Sequence, residues 1–350
     1  MERDYVKGRG AQFNAKNKFL IQEYVHEHPE GIDEITTLNK STKIYYEYPK
    51  KIINKVDSPD LSFGFSMNPY QGCEHGCIYC YARNAHEFWG FSAGMDFESK
   101  IIVKPEAPKL LENELLKKSW RPTPIMLSGN TDCYQPIERK LKITQGLLKV
   151  LVKYQNPVGM ITKNSLILRD LNLLRALTEN NLVKVSISIT TFDEKLRLKM
   201  EPRTANAYKR LKVIEKLSEA KIPVGVMVAP IIPGLNSHEI PEIMKKASDA
   251  GALGAGMTMV RLNGSIQYLF KDWLEKNFPD RFNKVWNQIA EVHGGQVNDT
   301  QWGRRMTGSG PIAETIGRLF KSCQKKYFES KAMPPFDLTK FRKGGVMNLF

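Results

Sequence analysis

The chain has 350 residues, of which 41% are hydrophobic and 25% charged, and this ordinary globular composition argues against wholesale disorder. No apolar run approaches the ~20 residues that a membrane span requires, and the polar residues 1–4 predict no secretory signal. Five cysteines are too few for a disulfide scaffold. We therefore expect a cytoplasmic protein, without a membrane partner, whose thiols stay reduced and free to bind metal.

The net charge of +15 is unevenly distributed along the chain. Residues 1–60 hold 10 basic and 10 acidic side chains and are neutral overall, whereas residues 301–350 hold 10 basic and 3 acidic side chains, a net of +7. Such a basic C-terminal region can bind a polyanion such as nucleic acid. A basic protein without a polyanion partner has the same charge, so both interpretations stay open.

The order of predicted elements indicates one repeating unit. Residues 1–60 are polar and weakly periodic, which predicts an N-terminal extension. Short apolar runs then alternate with stretches of helical periodicity. Strands are predicted at residues 61–67, 124–127, 158–162, 183–189, 222–229 and 257–262. Helices are predicted between them at residues 107–118, 137–152, 171–178, 206–221 and 237–250.

Strands that alternate with helices form a parallel sheet with helices outside it. Six such units do not complete an eight-stranded barrel, so the sequence predicts an α/β fold with a partial (βα)6 TIM-type barrel over residues 61–265. Beyond it, residues 266–350 are predicted to form a basic helical or irregular C-terminal region that covers or flanks the barrel. Ligands of parallel α/β folds bind at the carboxyl ends of strands, where we expect the functional residues.

A loop rich in cysteine follows the first predicted strand and gives the strongest signal. Its three cysteines are Cys73, Cys77 and Cys80. Gly72 and Gly76 permit the tight backbone by which three thiolates turn around one centre. Three interpretations are open: zinc with a fourth ligand from His75, Cys133 or Cys323, a 4Fe–4S cluster with one iron left open, or reduced cysteines without metal.

The cysteine motif, with Tyr79 before its last cysteine, resembles that of the radical S-adenosylmethionine (SAM) enzymes. The wider stretch NPYQGCEHGCIYCYAR, at residues 68–83, is similar to the spore-photoproduct-lyase-like branch, in particular to its uncharacterised bacterial members. Those members also resemble the chain at residues 7–10, 58–60 and 96–98. The resemblance extends over about residues 60–290.

This resemblance implies an enzyme in which Cys73, Cys77 and Cys80 each bind one iron of a 4Fe–4S cluster and the fourth iron binds SAM. One electron, from a donor such as a flavodoxin or ferredoxin, would cleave SAM to a 5′-deoxyadenosyl radical that takes hydrogen from a substrate. The substrate is unknown, DNA or RNA being the best single expectation, and the reaction is of the lyase or oxidoreductase type.

The resemblance also implies cofactor-binding residues at the strand ends, each with an ordinary structural alternative. The loop after the second predicted strand, residues 128–131, matches the position where relatives bind the SAM amino group. Turn formation explains the same residues equally well. Lys163 matches a lysine directed at the SAM carboxylate, and Ser188 a SAM-contacting serine, with Ser186 as the alternative. The full expected set is Tyr79, Ser128, Gly129, Asn130, Thr131, Lys163, Ser188 and Ile231.

The catalytic residue is unknown, with Cys133 and Arg261 as candidates. In the DNA-repair lyase that names the branch, a hydrogen-donating cysteine precedes a hydroxyl–Asp pair; here Gly129 occupies that position and Cys133 lies beyond Asp132. Arg261 ends the last strand, where an unpaired charge is costly unless it binds a substrate or anion. The alternative function is a non-catalytic, zinc-containing nucleic-acid-binding protein, with Cys133 or Cys323 as the fourth ligand.

Overall fold

The structure is a computed structural model and describes residues 5–20, 42–61 and 63–345. Residues 1–4 and 21–41 of the predicted N-terminal extension therefore lie outside the described residues, as do residue 62 and residues 346–350. Among the helices in the described ranges, none combines the length and the apolar character needed to cross a membrane.

Ten strands in the described residues form two sheets. In chain order they are β1 (Lys43–Tyr46), β2 (Ile53–Lys55), β3 (Phe65–Met67), β4 (Tyr70–Gln71), β5 (Lys100–Val103), β6 (Ile125–Leu127), β7 (Val158–Thr162), β8 (Val183–Ser188), β9 (Val224–Ile231) and β10 (Ala255–Met259). The smaller sheet has the order β1-β5-β4, and the larger one the order β10-β9-β8-β7-β6-β3-β2.

The larger sheet is parallel except at one edge. β3 and β6 to β10 pair in parallel, in chain order, and β2 pairs antiparallel with β3. These six parallel strands are the six that the sequence predicts. Within the described strands β10 and β2 remain the two edges, so the sheet is open. The predicted α/β fold is confirmed.

The alternation of side chains along β8 explains why this segment is a strand. Val183, Val185 and Ile187 are buried on one face, while Lys184 and Ser186 on the other face are half-buried. A period of two places alternate residues on opposite faces of a sheet. The buried face packs into the main hydrophobic core between the sheet and its helices.

Eleven α-helices accompany the two sheets in the described ranges. They are α1 (Met95–Ser99), α2 (Ala107–Leu115), α3 (Glu138–Leu141), α4 (Ile143–Tyr154), α5 (Leu171–Thr178), α6 (Glu194–Met200), α7 (Ala207–Glu219), α8 (Ile240–Asp249), α9 (Ile266–Asn277), α10 (Phe282–Val292) and α11 (Gly310–Phe328). Each core-facing helix buries one apolar face. In α4, Leu147, Leu148 and Leu151 are fully buried, and each such burial contributes roughly 1.5–3 kcal/mol to stability.

One predicted helix, at residues 137–152, is wrong in its continuity. Lys142 adopts a left-handed backbone with φ of 54°, which ends α3, and α4 begins at the next residue. The buried Glu138 carboxylate accepts a hydrogen bond from the Thr144 backbone N–H across the break, at 3.0 Å. Apolar spacing cannot reveal such a break, because the apolar positions continue through it.

The C-terminal part is mainly helical. α11 packs against α8, and its Phe320 and Cys323 belong to the main core. α9 and α10 form a second core with the cysteine loop, in which Trp273 is fully buried beside Phe270. The cysteine loop thus lies where the parallel sheet meets the C-terminal helices.

Candidate active site

The cysteine loop begins directly after β4, and two glycines set its path. Gly72 and Gly76 have φ of 78° and 67°, a left-handed backbone that glycine adopts without strain. At Gly72 a Cβ atom would also lie 2.9 Å from the Lys100 carbonyl oxygen, so the loop passes too close to β5 for a side chain. The Cys73 N–H donates to the Phe97 carbonyl oxygen at 2.8 Å and fixes the first cysteine.

Two of the three cysteines of this loop are buried, the third is partly buried, and the thiols affect one another's pKa. Cys73 and Cys77 are less than 9% exposed, and Cys80 is partly buried. Burial raises the pKa of all three thiols, and the Asp132 carboxylate and the other two thiols raise the pKa of Cys73 further. A cationic metal centre reverses this effect, because coordination deprotonates a thiol. Three cysteine sulfurs on one loop are the ligand type that an iron–sulfur cluster uses.

A buried ion pair holds the cysteine loop from below. The Arg83 guanidinium donates to the Gly76 and Cys77 carbonyl oxygens at 3.1 and 2.9 Å, and to the Glu98 carboxylate at 2.6 Å. Glu98 also accepts the backbone N–H groups of Gly10 and Ala11, at 3.1 and 2.8 Å. The segments at residues 7–10 and 96–98, which carry part of the family resemblance, therefore contact each other beside the cysteine loop.

A second network fixes Tyr79, the residue directly before the last cysteine of the loop. Its buried hydroxyl donates to Glu201, which also accepts from Arg210 at 2.5 Å and from Thr190 at 2.6 Å. Burial opposes ionisation of Glu201, but Arg210 and Lys163 nearby lower its pKa to about 2. The sequence analysis did not identify Arg210. The signal that could have revealed it is its place among the buried positions of α7.

The loop after β6 is bound tightly to the start of the cysteine loop. The Asn130 N–H donates to Asn68 Oδ1 at 2.8 Å, and Thr131 Oγ1 donates to the Tyr70 carbonyl oxygen at 2.6 Å. Ser128 has φ of 75°, and its Oγ accepts from the Cys133 N–H at 2.8 Å. The structure thus brings the expected residues 128–131 beside the cysteine loop, with turn-forming contacts of their own.

Asp132 connects this loop to the cysteine loop and to β7. Its carboxylate lies 3.3 Å from His75 Nδ1 and accepts from Thr162 Oγ1 and the Lys163 N–H at 2.8 and 2.9 Å. Burial opposes ionisation, yet His75 and the backbone N–H of Lys163 lower the pKa of Asp132. His75 Nε2 lies 3.3 Å from Asn164 Nδ2, so both ring nitrogens have protein partners.

The remaining expected SAM residues end neighbouring strands. Lys163 follows β7, Ser188 ends β8 and Ile231 ends β9, and the last two are buried. Lys163 Nζ lies 5.9 Å from the centre of the Tyr79 ring, and its charge lowers the pKa of Cys77 and Cys80, although burial raises both overall. Lys163 at the carboxyl end of β7 therefore lies beside the cysteine loop, and Ser188 and Ile231 end the next two strands of the same parallel sheet.

The structure separates the other two cysteines from the cysteine loop. Cys133 packs in the main core beside Thr144, and Cys323 packs there from α11, whereas Cys77 belongs to the second core. Neither is brought to the three thiols as the fourth ligand that the zinc interpretation requires. In the ranges that the structure describes, no group of three or more His, Cys, Asp or Glu side chains is arranged to hold a single metal ion.

Arg261 follows β10 beside a cationic neighbour. It is partly buried, and burial and Arg305 lower its pKa. No residue in the described ranges forms a hydrogen bond or an ion pair with its guanidinium, whereas Arg305 is paired with Asp60 at 2.5 Å and stacks 3.7 Å from the Trp302 ring centre. Among the described residues, Arg261 thus has no directly bonded anion, although the Asp60 and Asp299 carboxylates act to raise its pKa.

The family model of the Radical SAM superfamily matches residues 67–247, which include the cysteine loop and four of the six parallel strands, β6 to β9. The chain belongs to the radical SAM superfamily. Radical SAM proteins use a 4Fe–4S cluster and SAM, so both cofactors that the sequence predicted are confirmed for the family of this chain.

Similar proteins are found in bacteria, archaea and a virus. An uncharacterised protein of Mycobacterium bovis is 32% identical over 234 residues, covering 66% of this chain and 69% of the relative. One of Methanocaldococcus jannaschii is 28% identical over 253 residues (72% and 90%), and one of Acidianus two-tailed virus is 31% identical over 255 residues (67% and 81%).

Solved structures of spore photoproduct lyase have a similar fold. The lyase complexed with dinucleoside spore photoproduct has a TM-score of 0.59 at 16% identity, covering 86% of this chain and 85% of that chain. A mutant of that lyase with bound AdoMet and the same dinucleoside has a TM-score of 0.56 at 15% identity, covering 81% and 79%. At such identity the likeness shows the fold alone, and it confirms the predicted partial TIM-type barrel.

Proposed function

We propose that this radical SAM protein is an enzyme that reductively cleaves SAM and uses the resulting 5′-deoxyadenosyl radical on a substrate. Cys73, Cys77 and Cys80 would hold three irons of the 4Fe–4S cluster and leave the fourth iron for SAM. The observation that supports this best is the set of three thiols on one loop, near enough for Cys77 and Cys80 to raise the pKa of Cys73. The thiols require a reducing compartment, and the cytoplasm supplies one.

The strand ends beside the cysteine loop are the proposed SAM site. Lys163 supplies a cation for the SAM carboxylate, since its charge already acts on Cys77 and Cys80. The loop of Ser128, Gly129, Asn130 and Thr131 offers hydroxyl and carbonyl oxygens to the amino group. Ser188 and Ile231 would contact the nucleoside part together with Tyr79, whose ring is held in place by Glu201.

We propose nucleic acid as the substrate class, supported by the charges and rings at the end of β10. Arg261 has no directly bonded anion among the described residues, so its guanidinium is able to donate to a phosphate. Trp302 and Tyr81 are 50% and 53% exposed, and such rings provide stacking surfaces for bases beside a cationic group. Arg261 is the candidate catalytic residue on this surface, while Cys133 is the buried candidate behind the loop after β6.

Production of 5′-deoxyadenosine after anaerobic reconstitution and reduction tests the proposed activity. We expect the wild-type protein to form it from SAM, and Cys73→Ala, Cys77→Ala and Cys80→Ala to lose it, while Cys323→Ala, which removes a thiol outside the loop, keeps it. Equal production by a loop variant and by Cys323→Ala would refute the assignment of the cysteines.

Deuterium transfer from labelled DNA or RNA into 5′-deoxyadenosine tests the substrate class. Regeneration of SAM would indicate the lyase type, and its stoichiometric consumption a net oxidation.

A further inference from the structure

The structure contains a basic cavity directly outside the cysteine loop. The cavity has a volume of about 400 Å³, and three of its lining residues are the cations Arg139, Arg203 and Lys209. None of its lining residues is acidic. Arg139 and Lys209 are exposed, and no described residue forms an ion pair with either of them, so their charges remain available to a partner.

This basic cavity touches the cysteine loop at His75, which lies between Cys73 and Cys77 in the sequence. The wall residue Asn164 places its Nδ2 3.3 Å from His75 Nε2, and the backbone N–H of Arg203 donates to the His75 carbonyl oxygen at 3.4 Å. The cavity wall therefore contacts the cysteine loop at the buried residue His75, two positions after Cys73 and two before Cys77.

The basic cavity is also separate from the proposed SAM site. Its lining residues follow β6, β7 and β8, but none of the residues proposed to contact SAM lines it. A SAM molecule bound at the strand ends would therefore leave the cavity open. The cavity is positively charged, open and close to the cysteine loop. These properties suit a partner that transfers an electron toward the loop, whereas a substrate has to bind next to SAM.

We propose that the basic cavity is the docking site of a small acidic one-electron carrier protein, which rests on the proposed function of the chain. An acidic surface would pair with Arg139, Arg203 and Lys209, because complementary charges steer association and fix orientation. In the transfer step the reduced carrier, such as a flavodoxin hydroquinone or a reduced ferredoxin, would lose one electron to a cluster held by Cys73, Cys77 and Cys80. No bond forms or breaks in this step.

A charge-reversed double variant, Arg139→Glu/Lys209→Glu, tests the docking site without altering buried contacts. The matched control is Lys321→Glu/Lys325→Glu on α11, which changes the net charge equally at two exposed positions without ion pairs among the described residues. Two quantities are measured: the affinity for flavodoxin and for ferredoxin, and the rate at which each reduced carrier or dithionite bleaches the reconstituted protein.

We expect the test variant to lose roughly tenfold in affinity and in carrier-driven reduction at low salt, with the loss shrinking as salt rises. Reduction by dithionite, and every rate of the control, should stay unchanged. Equal carrier rates in wild type and test variant would overturn the proposal, and so would equal losses in test variant and control. A loss of oligonucleotide affinity with unchanged carrier affinity would assign the cavity to nucleic acid instead.

The binding measurement separates this proposal from the proposed function. Affinity for the carrier can be measured on protein without a cluster, because the cations of the basic cavity belong to the folded chain. If no 5′-deoxyadenosine forms but the carrier binds wild type and not the test variant, the docking site stands and the enzymatic assignment fails. If 5′-deoxyadenosine forms with dithionite but the test variant still binds the carrier normally, the docking site fails alone.

Discussion

The Glu201 carboxylate shows how single residues fix the geometry beside the cysteine loop. It is fully buried, and burial alone would favour its neutral form. The Arg210 guanidinium at 2.5 Å outweighs that effect and keeps Glu201 ionised, so the carboxylate can accept the Tyr79 hydroxyl. Neutralising one partner of such a pair leaves the other charge buried and unpaired, which is more costly than losing a hydrogen bond.

The variant Glu201→Gln is therefore expected to lose about 3–5 kcal/mol of unfolding free energy near neutral pH. Because the folded pKa of Glu201, about 2, lies below its ordinary value of 4.5, its stabilisation is complete above pH 4.5 and declines as the pH falls toward 2. Denaturant unfolding of both proteins from pH 7 to pH 3 should show a gap that narrows in acid. The exposed Glu219→Gln variant is the control with little effect, and a gap that widens in acid would contradict this reasoning.

At the scale of elements, the cysteine loop depends on a segment from the beginning of the chain. Gly10 lies so close to the loop that an added Cβ would stand 2.0 Å from the Gly76 carbonyl oxygen. The Gly10 N–H also donates to Glu98, the carboxylate that holds Arg83 beneath the loop. The segment thus supports the loop from outside the barrel, and contacts of this kind orient metal ligands.

Replacing Gly10 by alanine should push the segment from the loop and loosen its hold on iron. We expect the reconstituted Gly10→Ala protein to release iron to a chelator about tenfold faster than wild type under anaerobic conditions. Gly64→Ala is the matched control, since no atom lies within 4 Å of its added Cβ. If both variants retained iron as the wild type does, the supporting role of the N-terminal segment would be refuted.

For the whole molecule, the sequence predicts what depends on local pattern. The six parallel strands and α5 follow from apolar runs and periodicity, and the loop of three cysteines from spacing and glycines. The Tyr79–Glu201 contact joins residues 122 positions apart, and β1 pairs with β5 across more than 50 residues. No local pattern encodes such contacts, so only the structure shows the smaller sheet and the Arg83–Glu98 pair. The structure also shows the break at Lys142, because the apolar spacing continues through that residue.

The central claim is that three thiols hold a cluster whose fourth iron is open to SAM. Electron–nuclear double resonance of the reduced, reconstituted protein with SAM labelled with ¹⁷O in its carboxylate and ¹⁵N in its amino group tests it most directly. We predict hyperfine coupling from both labels, which shows that SAM binds the iron through these atoms. A reduced cluster whose spectrum shows no coupling from either label, with SAM bound to the protein, would contradict the account.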